Sequence, residues 1–435
     1  MRTGFPGLRV RWPILACLFG FAFVAYMQRT SFSVAAEQMM PQLGISQLQL
    51  GWLMTIYLVP YTILQLPGGV FGQWLGARKA LAYTGLLGLV AALATPLAPL
   101  LFTGAALLLM LMLARFLLGV AHAPLFPVST GAIEAWFPVG HWSFPNGLQV
   151  SGLQLGSAAA TPMIAFLMTT YGWKNALVWT TLPALLLIAL WSWYGRDRPA
   201  QHPLVSAAEL AELGANESAP AATRITMAEV WKVLANRDVL LLAISYTIMN
   251  YVFYLLGSWC FLYLVQERHL SVPQSGLLGS LPFIAAAIGA AVGGKWADRL
   301  ALRFGLRNGY RAIPLVALPL AGVLLFLGVK AANPFWAVAA LSLAYGATEM
   351  TEGPYAAATT AVSRENAMAA WGVVGTGGNL GGIIGTPIVG WLSSQHAWTA
   401  AFVTGAAAAI VSGLMWLWID GSRAMRAGPT VAHAH

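Results

Sequence analysis

The stretch "GRDRPAQHPLVSAAELAELGANESAPAATRITMAEVWKVLANRD", residues 195–238, is the longest polar run in a chain of 435 residues. The sequence as a whole is strongly apolar, with 58% hydrophobic and 9% charged residues and a mean hydropathy of +0.70. A water-soluble fold of this length could not bury so much apolar surface. We therefore interpret the chain as a polytopic membrane protein and this stretch as the connection between two membrane-embedded parts.

Six apolar segments lie on each side of the polar stretch. They cover approximately residues 12–36, 50–71, 80–98, 104–127, 146–168, 174–194, 239–264, 274–296, 312–329, 335–360, 370–393 and 398–419. Most are near the roughly 20 residues of a spanning helix, whereas spanning strands are about half as long and alternate in polarity. The pattern predicts an all-α membrane protein with twelve spanning helices. Residues 1–195 and 238–420 are expected to form two six-helix halves. Residues 196–237 then form a linker and 421–435 a tail.

Basic residues are distributed unequally between the two sides of the predicted membrane. Of 23 Lys and Arg residues, only Lys174, Arg268 and Lys330 fall on the side opposite the N-terminus, while Arg29 and Arg115 fall at membrane depth. Cytoplasmic loops carry the excess of positive charge, so both termini and the linker are predicted to be cytoplasmic, in the inner (cytoplasmic) membrane. The net charge of +9 then reflects orientation in the bilayer, and no nucleic-acid partner is expected.

The two halves resemble each other at a constant spacing of 225 residues. The matching pairs are Gly69 and Gly294, Gln73 and Asp298, Arg78 and Arg303, Gly156 and Gly381, Pro162 and Pro387, and Trp173 and Trp398. Parallel repeats of six helices are typical of secondary transporters, whose substrate site lies at mid-depth between the repeats.

Two loops carry a family resemblance. "GGVFGQWLGARK" (68–79) and "GGKWADRLALR" (293–303) resemble the G-x-x-x-D-R-x-G-R-R signature of the major facilitator superfamily. The first copy has Gln73 where Asp is usual, and the second keeps Asp298 and Arg299. The resemblance implies that these three residues, with Arg78 and Arg303, form a conformational latch that is weakened in the first copy.

Within that superfamily the chain is most similar to the anion:cation symporter family, on stretches such as "RTSFSVAA", "ARFLLGVAHAPLFP" and "HPLVSAAEL". This resemblance implies transport of organic anions such as sugar acids. Two departures concern proton coupling. Gln28 stands where an Asp often precedes the arginine, and His122 stands where a Glu is common.

Arg29 and Arg115 are permanently charged residues at membrane depth, and their position there requires an explanation. The apolar run 12–27 covers about 24 Å, less than the roughly 30 Å hydrocarbon core, so Arg29 must enter the membrane. A planar, permanently charged guanidinium can bind a carboxylate bidentately, which favours Arg29 as the anion-binding group and Arg115 as its assistant. Alternatively, Arg29 snorkels to the surface and Arg115 caps carbonyls of a neighbouring helix.

Polar side chains on several segments are predicted to complete a substrate site. These are Tyr26, Tyr57, Tyr61, Gln65, Gln154, Tyr254 and Asn379. Tyr57, Tyr61 and Gln65 share one helix face at i, i+4 and i+8. Such stripes line cavities but also serve as hydrogen-bond contacts between helices. The superfamily resemblance implies that its phosphate antiporters hold a dianion with symmetry-related arginines on the first and seventh helices. Here Tyr254 occupies the repeat position of Arg29, so a hydroxylated monocarboxylate is expected rather than a phosphate ester.

Glu349 and Glu352, three residues apart in the tenth segment, are the buried carboxyls that remain for proton coupling. A symporter needs a group whose proton affinity lies near ambient pH. Glu352 is our first choice because Gly353 and Pro354 loosen the backbone beside it, with His122 and Glu349 in reserve. Alternatively, both glutamates lie at the cytoplasmic mouth.

The sequence thus favours a monomeric, proton-coupled importer of a small organic anion. A uniporter or exchanger without proton coupling, or a non-transporting sensor on the same fold, stays open. A membrane enzyme is not expected, because the sequence has no metal cluster, nucleophile elbow or phosphate loop, and no cofactor is predicted.

Overall fold

The computed structural model describes residues 9–213, 226–260, 263–264, 267–270, 272–395 and 397–423, whose regular secondary structure is entirely helical. The first half contains α1 (Arg11–Leu43), α2 (Gln47–Ile63), α3 (Gln65–Leu75), α4 (Ala77–Leu101), α5 (Gly104–His122), α6 (Leu125–Trp136) and α7 (Ser143–Tyr194). Two short helices follow, α8 (Ala207–Leu213) and α9 (Met227–Leu234). The second half contains α10 (Arg237–Tyr254), α11 (Val272–Lys330), α12 (Pro334–Glu349), α13 (Glu352–Ser363), α14 (Ala367–Ser394) and α15 (Trp398–Met415).

These helices account for the twelve predicted membrane crossings. Among the described residues, eight helical stretches are individually long and apolar enough to span a membrane, or nine with the bent pair α2–α3. Helix α7, divided at Gly172, already counts as two of these stretches, whereas α11 counts as one but contributes two crossings, separated at Gly305. Both glycines have φ near +80°, a conformation that costs glycine little because it has no Cβ. Together with α12–α13 and α14, this gives twelve crossings, the number expected from the sequence.

The second crossing differs from the straight helix that the sequence predicts. Helices α2 and α3 meet at a bend of 54°. Pro67 has no N–H to donate to the carbonyl of Ile63, where α2 ends, and this missing bond explains the break. The predicted stripe of Tyr57, Tyr61 and Gln65 is therefore divided between two helices of different direction.

We call the end of the bundle that carries Arg78, Lys79, Arg299 and Arg303 the basic end. Six hydrogen bonds between the halves lie between mid-depth and this end. They join Gln73 to Asn366, Ser143 and Phe144 to Asp298, Ser151 to Ala287, Gln154 to Glu349, and Thr376 to Thr62. The halves are therefore closed against each other at the basic end.

Candidate transport site

A cavity lies between the two halves at the depth where their mutual contacts begin. Its empty volume is about 520 Å³. The polar side chains lining it are Tyr26, Tyr61 and Gln65 of the first half, and Tyr246, Asn250, Tyr254, Glu349, Glu352 and Asn379 of the second. Both halves thus contribute to one polar site, as expected for a pair of transporter repeats.

Arg29 lies near the middle of α1, immediately behind the tyrosines of this cavity. Its Nη1 donates to the hydroxyl of Tyr26 at 3.3 Å, and that hydroxyl lies 3.2 Å from the hydroxyl of Tyr61. The guanidinium carbon is 5.2, 5.5 and 5.7 Å from the ring centres of Tyr26, Tyr57 and Tyr61. Three aromatic faces thus stabilise the cation.

No described carboxylate neutralises Arg29. Among the side chains that the structure describes, no acidic oxygen lies within 4.0 Å of its nitrogens. Cation–π contacts contribute on the order of 1–2 kcal/mol each, far less than the cost of removing an ion from water. The positive charge of Arg29 is therefore left uncompensated by the described residues and can attract an anion.

Arg115 has a different environment. It is buried, and its Nε donates to the backbone carbonyl of Leu53 at 3.3 Å. Its guanidinium carbon lies 4.2 Å from the ring centre of Phe32 and 4.8 Å from that of Tyr57. This position matches the carbonyl-capping alternative. Neither arginine lines the cavity, but Arg29 contacts its tyrosines Tyr26 and Tyr61. Tyr57 connects the two arginines, because its ring contacts both.

His122 is placed away from the central cavity. Its Nδ1 lies 3.2 Å from the hydroxyl of Tyr57, and its Nε2 lies 3.2 Å from Oε1 of Gln28. The amide oxygen of Gln28 can only accept, so Nε2 is the donor in that contact. The pair of Gln28 and His122 lines a separate, mainly apolar pocket within the first half.

Glu349 and Glu352 flank a break in the tenth crossing. Helix α12 ends at Glu349 and α13 begins at Glu352, and both side chains are buried and line the cavity. Tyr246 donates its hydroxyl to both oxygens of Glu352, at 3.1 and 2.9 Å. Gln154 of the first half donates to Oε2 of Glu349 at 2.9 Å. One glutamate therefore bonds within its own half, and the other bonds across the interface.

Several buried polar atoms around the cavity have no hydrogen-bond partner among the residues that the structure describes. They are Oε1 of Gln65, Oε1 of Gln154, Oε1 of Glu349 and Nδ2 of Asn379. The Oδ1 atom of Asn379 accepts from the hydroxyl of Tyr254 at 3.2 Å. Unpaired buried groups are costly, so these atoms are available to the hydroxyl groups of a bound solute.

Sequence reasoning missed Tyr246, Asn250 and Trp371, which also line the cavity. Tyr246, Asn250 and Tyr254 recur every four residues on α10, the spacing that singled out Tyr57 and Tyr61 on α2. Applying that pattern to both repeats would have found two of the three missed residues.

The five residues of the predicted latch divide into two groups. Asp298 accepts from the backbone amides of Ser143 and Phe144, both at 2.8 Å, and Gln73 donates to Asn366 at 3.3 Å. These two connect the halves.

Within the described part of the chain, the other three latch residues form no hydrogen bond or ion pair with the opposite half. Arg78 donates to the carbonyl of Ser192 in its own half at 2.6 Å. The guanidinium carbon of Arg303 lies 5.2 Å from the ring centre of Phe304. Arg299 is exposed beside a pocket at the basic end.

The described residues contain no group of three His, Cys, Asp or Glu side chains that could hold a metal ion.

Comparisons with known proteins agree with this architecture. A proton:xylose symporter structure superposes with a TM-score of 0.73 at 14% identity, over 94% of this chain and 96% of the other. The Escherichia coli fucose:proton symporter superposes with a TM-score of 0.68 at 14% identity, over 95% and 100%. At this identity the superpositions show the fold alone.

Sequence relatives are closer. The chain is 28% identical over 393 residues to a probable sulfoacetate transporter of Cupriavidus necator, covering 88% of each protein. It is 25% identical over 434 residues to a probable galactarate/D-glucarate transporter of Escherichia coli K12, covering 95% and 96%. It is 26% identical over 411 residues to a hexuronate transporter of Bacillus subtilis, covering 92% and 93%. The family model of the Major Facilitator Superfamily matches residues 18–351 and 263–433. The chain therefore belongs to the Major Facilitator Superfamily, as a multi-pass membrane transporter and not an enzyme.

Proposed function

We propose that the protein is a secondary transporter of a small organic anion that moves by proton symport across the cytoplasmic membrane, with the basic end facing the cytoplasm. The relatives above carry names of transporters for organic anions, which supports the substrate class. The positive-inside distribution of Lys and Arg supports the orientation.

The observation that carries the proposal is the environment of Arg29. A permanent cation lies behind two tyrosines that line the cavity, and no described carboxylate neutralises it. An incoming carboxylate can accept from the hydroxyls of Tyr26 and Tyr61, and it reaches the guanidinium when these two side chains move, because Arg29 does not itself line the cavity. The three tyrosine rings keep water from screening this interaction, and low local polarity strengthens it.

The second half supplies groups suited to the rest of the solute and to a proton. Asn379 and Gln65 have unpaired polar atoms for substrate hydroxyls. Glu352, held by Tyr246, is our candidate for the transported proton, and Glu349 links that region to Gln154 of the first half. A proton on either carboxyl would reduce its repulsion of an anionic substrate.

The test is uptake by the purified protein in proteoliposomes. The panel contains sugar acids, dicarboxylates, a sulfonated carboxylate and sugar phosphates, each with and without an imposed pH gradient. We expect saturable, pH-driven uptake of hydroxylated carboxylates and no exchange of sugar phosphates. Sugar phosphate exchange would overturn the substrate class, and uptake insensitive to pH would favour the uniporter or exchanger alternative.

The role of Arg29 is tested with Arg29→Lys, which keeps the charge but removes the forked donor geometry. We expect the KM for uptake to rise roughly tenfold or more, because hydrogen bonds to charged groups contribute about 1.5–3 kcal/mol. Arg237→Lys, at an exposed site on α10, is the matched control and should leave KM unchanged. Wild-type KM in Arg29→Lys would assign the anion-binding role elsewhere.

A further inference from the structure

A second cavity opens at the basic end, between the N-terminus of α1, the connection from α6 to α7, helix α8 and α11. Its empty volume is about 810 Å³. Four cations line it, namely Arg9 and Arg11 from the first half and Lys295 and Arg299 from the second. We call it the basic pocket. It lies outside the transport site described above.

Positive charge in the basic pocket exceeds the negative charge available to neutralise it. Glu212 of α8 is shared by Arg9 and Arg11, at 2.6 and 2.7 Å. Slight burial acts to raise the pKa of Glu212, but Arg11 and Arg9 outweigh it and lower the pKa, so this carboxylate is ionised at neutral pH. Asp298 also lines the pocket, with amides of α7 donating to both of its oxygens. Glu209 lies 3.9 Å from Arg11, so the four cations face three carboxylates among the described residues.

Lys295 and Arg299 are the cations that lack a counter-ion. They lie four residues apart on α11, so their side chains project from one face, and both are exposed. Among the described side chains, no carboxylate oxygen lies within 4.0 Å of either. Two adjacent positive charges repel each other, and an anion between them would relieve this repulsion.

Arg11 gives an independent indication that a ligand is missing. The residue is only 4% exposed, yet its Nε has no hydrogen-bond partner among the described residues. Oε1 of Glu209 lies 3.9 Å from this Nε, which is too far for a hydrogen bond. An unsatisfied donor on a buried charged group is costly, and Arg11 lines the pocket.

Apolar side chains form the rest of the wall and identify the kind of anion. Trp12 is 42% exposed and Leu302 is 58% exposed beside the cations. In a bilayer, a tryptophan at this level lies at the headgroup boundary. A soluble anion would leave these apolar surfaces uncovered, whereas a lipid would place its acyl chains along them.

We propose that the basic pocket binds the phosphate group of an anionic phospholipid, with Lys295, Arg299 and Arg11 around the phosphate. The pocket is built from both halves in the arrangement that is closed at the basic end. A ligand that binds one arrangement stabilises it by mass action. Anionic lipid therefore favours the closed basic end.

The experiment measures the thermal unfolding midpoint of the full-length protein in detergent. Phosphatidylglycerol, phosphatidylcholine or inorganic phosphate is titrated in at equal phosphate concentration. The pocket variant is Lys295→Gln with Arg299→Gln. The matched control is Lys232→Gln with Arg237→Gln, which removes the same charge from exposed sites on α9 and α10. Each shift is measured against the lipid-free form of the same variant.

We expect phosphatidylglycerol to raise the midpoint saturably in the wild type and the control, and to produce less than half of that shift in the pocket variant. Phosphatidylcholine and inorganic phosphate should produce little shift. An undiminished shift in the pocket variant would overturn the site. An equal shift with inorganic phosphate would overturn the lipid as its source, and equal shifts with both lipids would overturn the requirement for negative charge.

Discussion

At the scale of single residues, Glu352 tests whether protons drive transport. Of the described residues, Tyr246 alone donates to its two oxygens, and this bond lies within the second half. Glu352→Gln keeps the shape and removes the titrating proton, so we expect pH-driven accumulation to be lost. With one proton per substrate, a gradient of one pH unit drives about tenfold accumulation. Substrate counterflow should persist, because exchange needs no net proton movement.

Two further variants complete this measurement. Glu267→Gln, at an exposed site, should accumulate substrate like the wild type. Glu349→Gln shows which of the two cavity carboxyls carries the transported proton. Full accumulation by Glu352→Gln together with loss in Glu349→Gln would move the proton to Glu349, and full accumulation by both would leave His122.

At the scale of helices, Asp298 acts as a cap supplied by the opposite half. It binds two amides at the start of α7, where the positive end of the helix dipole stabilises a carboxylate. Asp298→Asn loses the charge and one acceptor, so we expect the basic end to open more often. A loss of about 1.4 kcal/mol would increase the open population roughly tenfold.

The measurement is the rate at which an impermeant maleimide labels Ser151→Cys from the basic end, after Cys17 and Cys260 are replaced by Ala. Ser151 is buried and bonds to the carbonyl of Ala287 across the interface. Asp197→Asn is the matched control, because Asp197 binds the amide of Arg78 within one half. Equal labelling rates in both variants would show that the cap of Asp298 does not control opening.

At the scale of the whole molecule, hydrogen bonds hold the two halves together at the basic end. A solute in the cavity can leave toward that end only if the halves separate there during transport. We therefore expect that a cleavable bifunctional thiol reagent joining Gln73→Cys to Asn366→Cys, in the cysteine-free background, abolishes both uptake and counterflow. Cleavage should restore them. Arg78→Cys with Ser192→Cys, a pair within one half, should transport equally before and after cross-linking. Transport by the cross-linked Gln73 and Asn366 pair would contradict separation at the basic end.

The twelve-crossing architecture could be predicted from the sequence because it depends on local properties. Hydropathy over about 20 residues determines which segments can enter a membrane, and a constant spacing of 225 residues identifies the repeat. The same patterns selected Tyr26, Tyr61, Gln65, Glu349 and Glu352, all of which line one cavity. Their roles stay predictions until transport is measured.

Distinctions between similar residues depended on tertiary structure. Arg29 and Arg115 are both charges in apolar segments, yet one lies behind the cavity tyrosines and the other caps the carbonyl of Leu53. His122, like the two glutamates, has a side chain that can bind and release a proton, so the sequence alone could not separate them. The packing of the helices places His122 in another pocket.

By itself, then, the sequence determined which segments cross the membrane, how they repeat and which polar groups they bring to membrane depth. Only the tertiary structure decided which of those groups face one another, and that the halves are closed at the basic end. The physical reason is that hydropathy and helical spacing act along the chain. The contacts of Gln154 with Glu349, and of Asp298 with Ser143, join residues more than 150 positions apart, and such pairs meet only when whole helices pack.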